Sequence, residues 1–110
     1  MQYATAITKY IRISPRKARL AAALIRGLPV EQAGFQLTYS QLKAGRLLKK
    51  TLDSAVANAE NNLELRRDDL RVLEVRVDAG PILKRSKPKN KGRSHPIMKR
   101  TSHFTVVVGN

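Results

Sequence analysis

The residues able to do chemistry in this chain are mostly cations, and their densest run, Gly80 to Arg100, contains no acid. That stretch, GPILKRSKPKNKGRSHPIMKR, carries Lys84, Arg85, Lys87, Lys89, Lys91, Arg93, Lys99 and Arg100. The chemistry open to it is neutralisation of a polyanion. Lysine acts as a point charge, and arginine as a planar fork that seats on phosphate or stacks on a base. His95 adds a ring able to hydrogen-bond such a polyanion. A second group, Arg16, Lys17 and Arg19, crowds the first turn of a helix announced by Ser14-Pro15. The helix dipole disfavours each cation there by about 0.3–1 kcal/mol, and phosphate nearby reverses that cost.

Other chemistry is poorly provided for. His95 and His103 have no nucleophile partner, and His103 opens a strand, where a structural or phosphate-facing role fits. Asp68-Asp69 reads as a turn former rather than a metal site. There is no Gly-rich phosphate cradle and no His/Cys metal spacing, and the chain has no cysteine. No catalytic residue, metal or cofactor is expected, and the chain does not read as an enzyme. No apolar run approaches the roughly 18–20 residues that cross a bilayer. The basic stretch also lacks aromatic anchors for a membrane surface.

The charge is lopsided. The net charge is +14, from 22 basic and 8 acidic residues over 110 positions. Residues 1–78 hold 14 basic and all 8 acidic residues, whereas residues 79–110 hold 8 basic and none acidic. Self-repulsion of this size is relieved by a polyanion, so nucleic acid is the first partner implied.

These residues must be positioned by regular elements. Thr5, Ile7, Thr8, Ile11 and Ile13 predict a first strand with Ile7, Ile11 and Ile13 on one face. Ser14 as N-cap and Pro15 at the first helical position predict a helix over 15–26, its apolar side formed by Leu20, Ala21, Ala22, Ala23 and Leu24, stopped by Gly27. Pro29 opens a second helix over 30–38, with Val30, Ala33 and Leu37 on a stripe. Gly34 inside it costs about 1 kcal/mol relative to Ala and suggests tight packing or a close approach. The third helix, over 41–61 with Ser40 as its cap, has the strongest pattern: Ala44, Leu47, Leu48, Thr51, Leu52, Ala55, Val56 and Ala59. Packing is the default role of this helix; Lys43, Arg46, Lys49, Lys50 and Asp53 lie off that stripe, and its basic side is a secondary candidate for phosphate contact. Glu60, Glu64, Asp68 and Asp69 gather half of the acids away from the polyanion. Strands follow over 70–78, with Leu73, Val75 and Val77 inward, and over 101–108, with Phe104, Val106 and Val108 inward.

The two strands flank the basic stretch, which makes residues 80–100 an extended hairpin arm. Ten residues at ~3.3 Å each reach ~30 Å. Pairing loosens at Gly80-Pro81, and Pro88 and Pro96 cannot donate to a ladder. Gly92 suits the reversal, and an irregular tip that orders on its partner follows. The expected fold is one α+β domain over 1–110: three helices packed on a small three-stranded antiparallel sheet, with a long protruding β-hairpin.

The whole chain resembles the bacterial large-subunit ribosomal protein twenty-two family. The residues that carry the resemblance are Ser-Pro-Arg-Lys-Ala-Arg at 14–19, Leu-Ile-Arg-Gly at 24–27, Ser-Ala-Val-Ala-Asn-Ala-Glu-Asn-Asn at 54–62 and Val-Asp-Ala-Gly-Pro at 77–81. It continues with Lys-Arg at 84–85, Lys-Gly-Arg at 91–93, Lys-Arg-Thr-Ser-His at 99–103 and Thr-Val-Val-Val at 105–108. The resemblance implies a structural constituent of the large ribosomal subunit, in the cytoplasm, that binds large-subunit ribosomal RNA and acts early in subunit assembly. It implies a hairpin forming part of the nascent-peptide exit tunnel wall, with Lys84, Arg85, Lys89, Asn90, Lys91, Gly92 and Arg93 as tunnel-facing candidates. The implied partners are that RNA, neighbouring large-subunit proteins and the nascent peptide, without a membrane or homo-oligomer. Two positions depart from the family pattern: Pro-Lys-Asn-Lys at 88–91, and Gly34 where a better helix former is usual. A DNA-bending architectural protein is the alternative, although Pro88 and Pro96 are its only wedge candidates.

Overall fold

A computed structural model describes residues 2–88 and 94–110, with side chains described outside 84–98. The chain runs β1 (Tyr3–Ile11), α1 (Pro15–Ile25), α2 (Val30–Thr38), α3 (Lys43–Asn62), a 3-10 turn at Arg67–Asp69, β2 (Arg71–Ala79), β3 (Leu83–Pro88), β4 (Ser94–Lys99) and β5 (Ser102–Gly109). β1 and β2 both pair antiparallel with β5, in the order β1-β5-β2, and β3 pairs with β4 as a separate ribbon. The architecture is the expected α+β one.

Each helix begins and ends for a local reason. At α1, Ser14 Oγ accepts from Lys17 N at 3.3 Å and Pro15 occupies the first turn. The helix ends before Gly27, whose φ of 78° suits glycine. Its buried face differs from the expected one. Ala18, Ala21, Ala22 and Ile25 face the core, while Leu20 and Leu24 are 60% and 46% exposed. The spacing of 18, 21, 22 and 25 is equally helical, and its small side chains let the helix lie close to β2. α2 buries Val30, Ala33 and Leu37 as expected. Space around Gly34 is open, and a Cβ added there would meet nothing within 4 Å. The close approach is instead at Gly45, where a Cβ would meet Leu37 O and Ser40 Cβ at 3.0 Å. α3 buries the expected stripe, with Leu47 half-buried. Its start is corrected: Ser40 Oγ accepts from Leu42 N at 3.1 Å in a turn, and Leu42 stands at the N-cap.

Two β-bulges reset the strand phases. In β1 the register shifts between Thr8 and Ile11, where Tyr10 has φ 60°. Upstream of the shift the inward residues are Ala4 and Ala6, and Ile7 is exposed, contrary to expectation. Small residues there let α3 lie against the strand, with Thr8 Oγ1 and Thr51 Oγ1 2.8 Å apart. In β2 the register shifts between Val72 and Glu74. Val72, Val75 and Val77 are therefore buried and Leu73 is not. An extra residue opposite one partner flips every later side chain to the other face. In β5, Phe104, Val106 and Val108 point inward as expected.

The β3–β4 ladder runs from Leu83–Lys99 to Pro88–Ser94, so regular pairing continues past the Ser86–Pro96 pair. The arm makes the molecule long: principal extents are 62 × 25 × 16 Å, and the radius of gyration is 16.9 Å, against ~13 Å for a compact chain of this length. The expected tip residues Lys89, Asn90, Lys91, Gly92 and Arg93 lie outside the described residues.

Candidate nucleic-acid interface

The arm leaves the sheet through a packed junction. Gly80 N donates to Thr101 O at 3.0 Å, Thr101 Oγ1 donates to Pro81 O at 2.6 Å, and the buried Ser102 Oγ donates to Ile13 O at 2.7 Å. Gly80 is required by close approach, since a Cβ there would lie 2.5 Å from Thr101 Oγ1 and 3.1 Å from the His103 ring. His103 Nδ1 accepts from Tyr10 N at 3.1 Å, and the two rings meet edge to face at 5.0 Å. His103 thus serves the junction first.

Around this junction the fold assembles cations from distant parts of the sequence. A cleft of about 970 Å³ lies between the start of α1, the start of α3 and the end of β4, with Arg12, Lys17, Lys43, Lys99 and Arg100 among its walls. A second cleft of about 410 Å³ shares Arg100 and adds Arg16 and Arg19. No acid lines either cleft among the described residues. The ion pairs seen among the described residues, Lys49–Asp53 and Arg76–Glu74, both 3.1 Å, lie elsewhere. Asp68 and Asp69 sit exposed on the 3-10 turn, as a turn-forming pair would.

The expected group is therefore brought together in part. Arg16, Lys17, Lys99 and Arg100 are exposed around the two clefts. Lys84, Arg85, Lys87 and His95 follow on the arm, where the backbone alone is described. Lys89, Lys91 and Arg93 fall outside the described residues. Arg19 also serves the sheet, for its Nε and Nη2 donate to Val77 O at 3.3 and 3.0 Å. Arg26 does the same to Val75 O at 3.3 and 2.9 Å. Both carbonyls lie on the outer edge of β2, whose upstream end is bonded to the α1–α2 connection through Gly27 N to Val72 O and Val72 N to Leu28 O. The arginines close an edge that would otherwise invite strand addition. Arg12 is a cleft residue that the sequence pattern alone does not single out, although it opens a run of four cations in eight residues, Arg12 to Arg19.

This division of labour is testable. Arg26→Ala is expected to lower stability by about 1–2 kcal/mol in urea unfolding, through two lost charge-assisted bonds, and to leave polyanion affinity unchanged. Arg16→Ala should do the opposite. A loss of affinity in Arg26→Ala at unchanged stability would reverse the assignment.

The chain is similar to known proteins over nearly its whole length. The profile of the ribosomal protein L22p/L17e family matches residues 6–109. The large ribosomal subunit protein uL22 of Protochlamydia amoebophila is 76% identical over 110 residues, covering 100% of this chain and 99% of that protein. Those of Chlamydia felis and Chlamydia abortus are 64% and 62% identical over 104 residues, covering 94% of each chain. With a match over nearly its whole length, the chain belongs to the L22p/L17e family of ribosomal proteins, structural components of the translation machinery rather than enzymes.

Proposed function

We propose that this protein is a structural constituent of the large ribosomal subunit that binds large-subunit ribosomal RNA, supports early subunit assembly and contributes its arm to the wall of the nascent-peptide exit tunnel. The observation that carries this reading is that two acid-free clefts lined by cations at the α1 start share Arg100, which with Lys99 stands at the foot of a ribbon whose sequence is basic and without acid. Cations in a globular patch and along a narrow arm suit a partner that surrounds the protein on several sides, which folded RNA does and a straight duplex does not. The arm residues Lys84, Arg85, Lys87 and His95, and the tip residues Lys89 to Arg93, are assigned to RNA and tunnel. Relatives named as large ribosomal subunit proteins support the assignment to that subunit. Phosphate contacts would position the domain, and each adds close to one unit to the slope of log affinity against log salt.

The test is binding of the full chain to a large-subunit RNA fragment and to duplex DNA of matched length across a salt series. Tight binding to the RNA with a slope of several units is expected, and weaker binding to the duplex. Equal affinities at physiological salt would favour the DNA-bending alternative and defeat this reading.

A further inference from the structure

The larger cleft has a feature that phosphate binding does not call for: apolar side chains in its wall. Ile13, Leu20, Leu42 and Ala44 line it together with the cations. Leu20 is 60% and Leu42 38% exposed, and neither belongs to the hydrophobic core. Leu42 also occupies the N-cap of α3, with φ −79°, ψ 135° and no side-chain cap bond. Ser, Thr, Asp or Asn at that position would satisfy an orphan backbone N–H. The same chain uses Ser14 in that way at α1. Leucine at 42 thus gives up local stability, and such departures from local rules gather at functional sites.

The occupant must suit both apolar side chains and a set of cationic donors. Arginine and lysine offer no acceptor, so they demand acceptors from their partner. A phosphodiester backbone supplies them, and a base on that backbone supplies an apolar π-face. An acidic peptide would bring backbone N–H groups that find few acceptors here, Gln41 and Ser14 being the neutral polar side chains of the lining. We propose that this cleft seats one unstacked nucleobase of the bound RNA against Leu20 and Leu42, with its flanking phosphates on Lys17, Lys43 and Arg100. The proposal rests on the RNA-binding reading above and adds an unpaired nucleotide to it.

The test uses the full chain, Leu20→Ser and Leu42→Ser with a large-subunit RNA fragment, measuring affinity across salt, base reactivity to chemical probes, and melting temperature. Each variant is expected to bind about tenfold more weakly, the scale of one lost apolar contact on a base, with the salt slope unchanged because no cation is removed. Leu42→Ser should melt no lower than the parent, since it gains a cap. One unpaired nucleotide, protected by the parent, should become reactive with both variants. Making that nucleotide abasic should weaken the parent by about the same tenfold and the variants no further, as coupled partners do. Parental affinity in both variants would overturn the proposal. So would lost affinity with no base changing reactivity, or a loss that tracks a lower melting temperature. A parent chain that fails to bind the fragment at all would defeat the RNA reading itself, and this proposal with it.

Discussion

Excising residues 82–98 and joining the ends through a short Asn-Gly turn is expected to reduce RNA affinity on the order of 10³-fold at physiological salt while leaving the domain folded. The deletion removes Lys84, Arg85, Lys87, Lys89, Lys91 and Arg93. At 0.7–0.9 units per phosphate contact, the salt slope should fall by about four to five. The fold should tolerate the cut because the main sheet closes before the arm begins. Ala79 pairs with Ser102, and Gly80 N bonds Thr101 O at 3.0 Å. Among the described residues, the arm contributes none to the buried cluster. Filter binding across salt, beside thermal unfolding of the same variant, checks both halves. An unchanged slope and affinity would mean that the arm does not bind phosphate.

Phe104→Ala should produce the largest loss of stability, about 4–5 kcal/mol, near the top of the range for truncating a buried aromatic. Phe104 is fully buried on the central strand, facing Thr8 in β1 and Val77 in β2. The make-up of the core explains why the cost should be high. Nine of the twenty-three buried apolar residues among those described are alanine, including Ala4, Ala6, Ala18, Ala21, Ala55 and Ala59. Alanines have no rotamers with which to refill a void, so the cavity must persist or backbones must move. Against a total of ~5–15 kcal/mol for a domain, this leaves little margin. A fall in melting temperature of about 20 °C is the matching thermal result. Phe104→Leu should cost far less. A loss under ~2 kcal/mol for Phe104→Ala in urea unfolding would show that the alanine-rich core closes over the void.

The same alanines explain where the fold is legible in the sequence and where it is not. The α3 stripe is legible because 20 residues of consistent period leave one face to bury. In α1 the bulky Leu20 and Leu24 are the natural candidates for the core, yet the alanine side is buried. Bulk points to burial, whereas a helix lying close to a sheet selects for smallness. In β2 the alternation of Leu73, Val75 and Val77 is real, but a bulge after Val72 displaces Leu73 from the face that alternation implies. A bulge has little local signature, because it is set by pairing with β5.

What the sequence determined by itself about this protein was its charge and its chemistry. An acid-free run of eight cations between two strands implies an arm for a polyanion, because charge and period survive any packing. The tertiary structure decided which cations act together and which do not. It brought Arg12, Lys43 and Arg100, far apart in the chain, around one cleft, and it tied Arg19 and Arg26 to the β2 edge. It also left Leu20 and Leu42 uncovered beside those cations. Residue types and spacing carry local geometry only, and the meeting of α1, α3 and the arm depends on long-range pairing in the sheet that joins them.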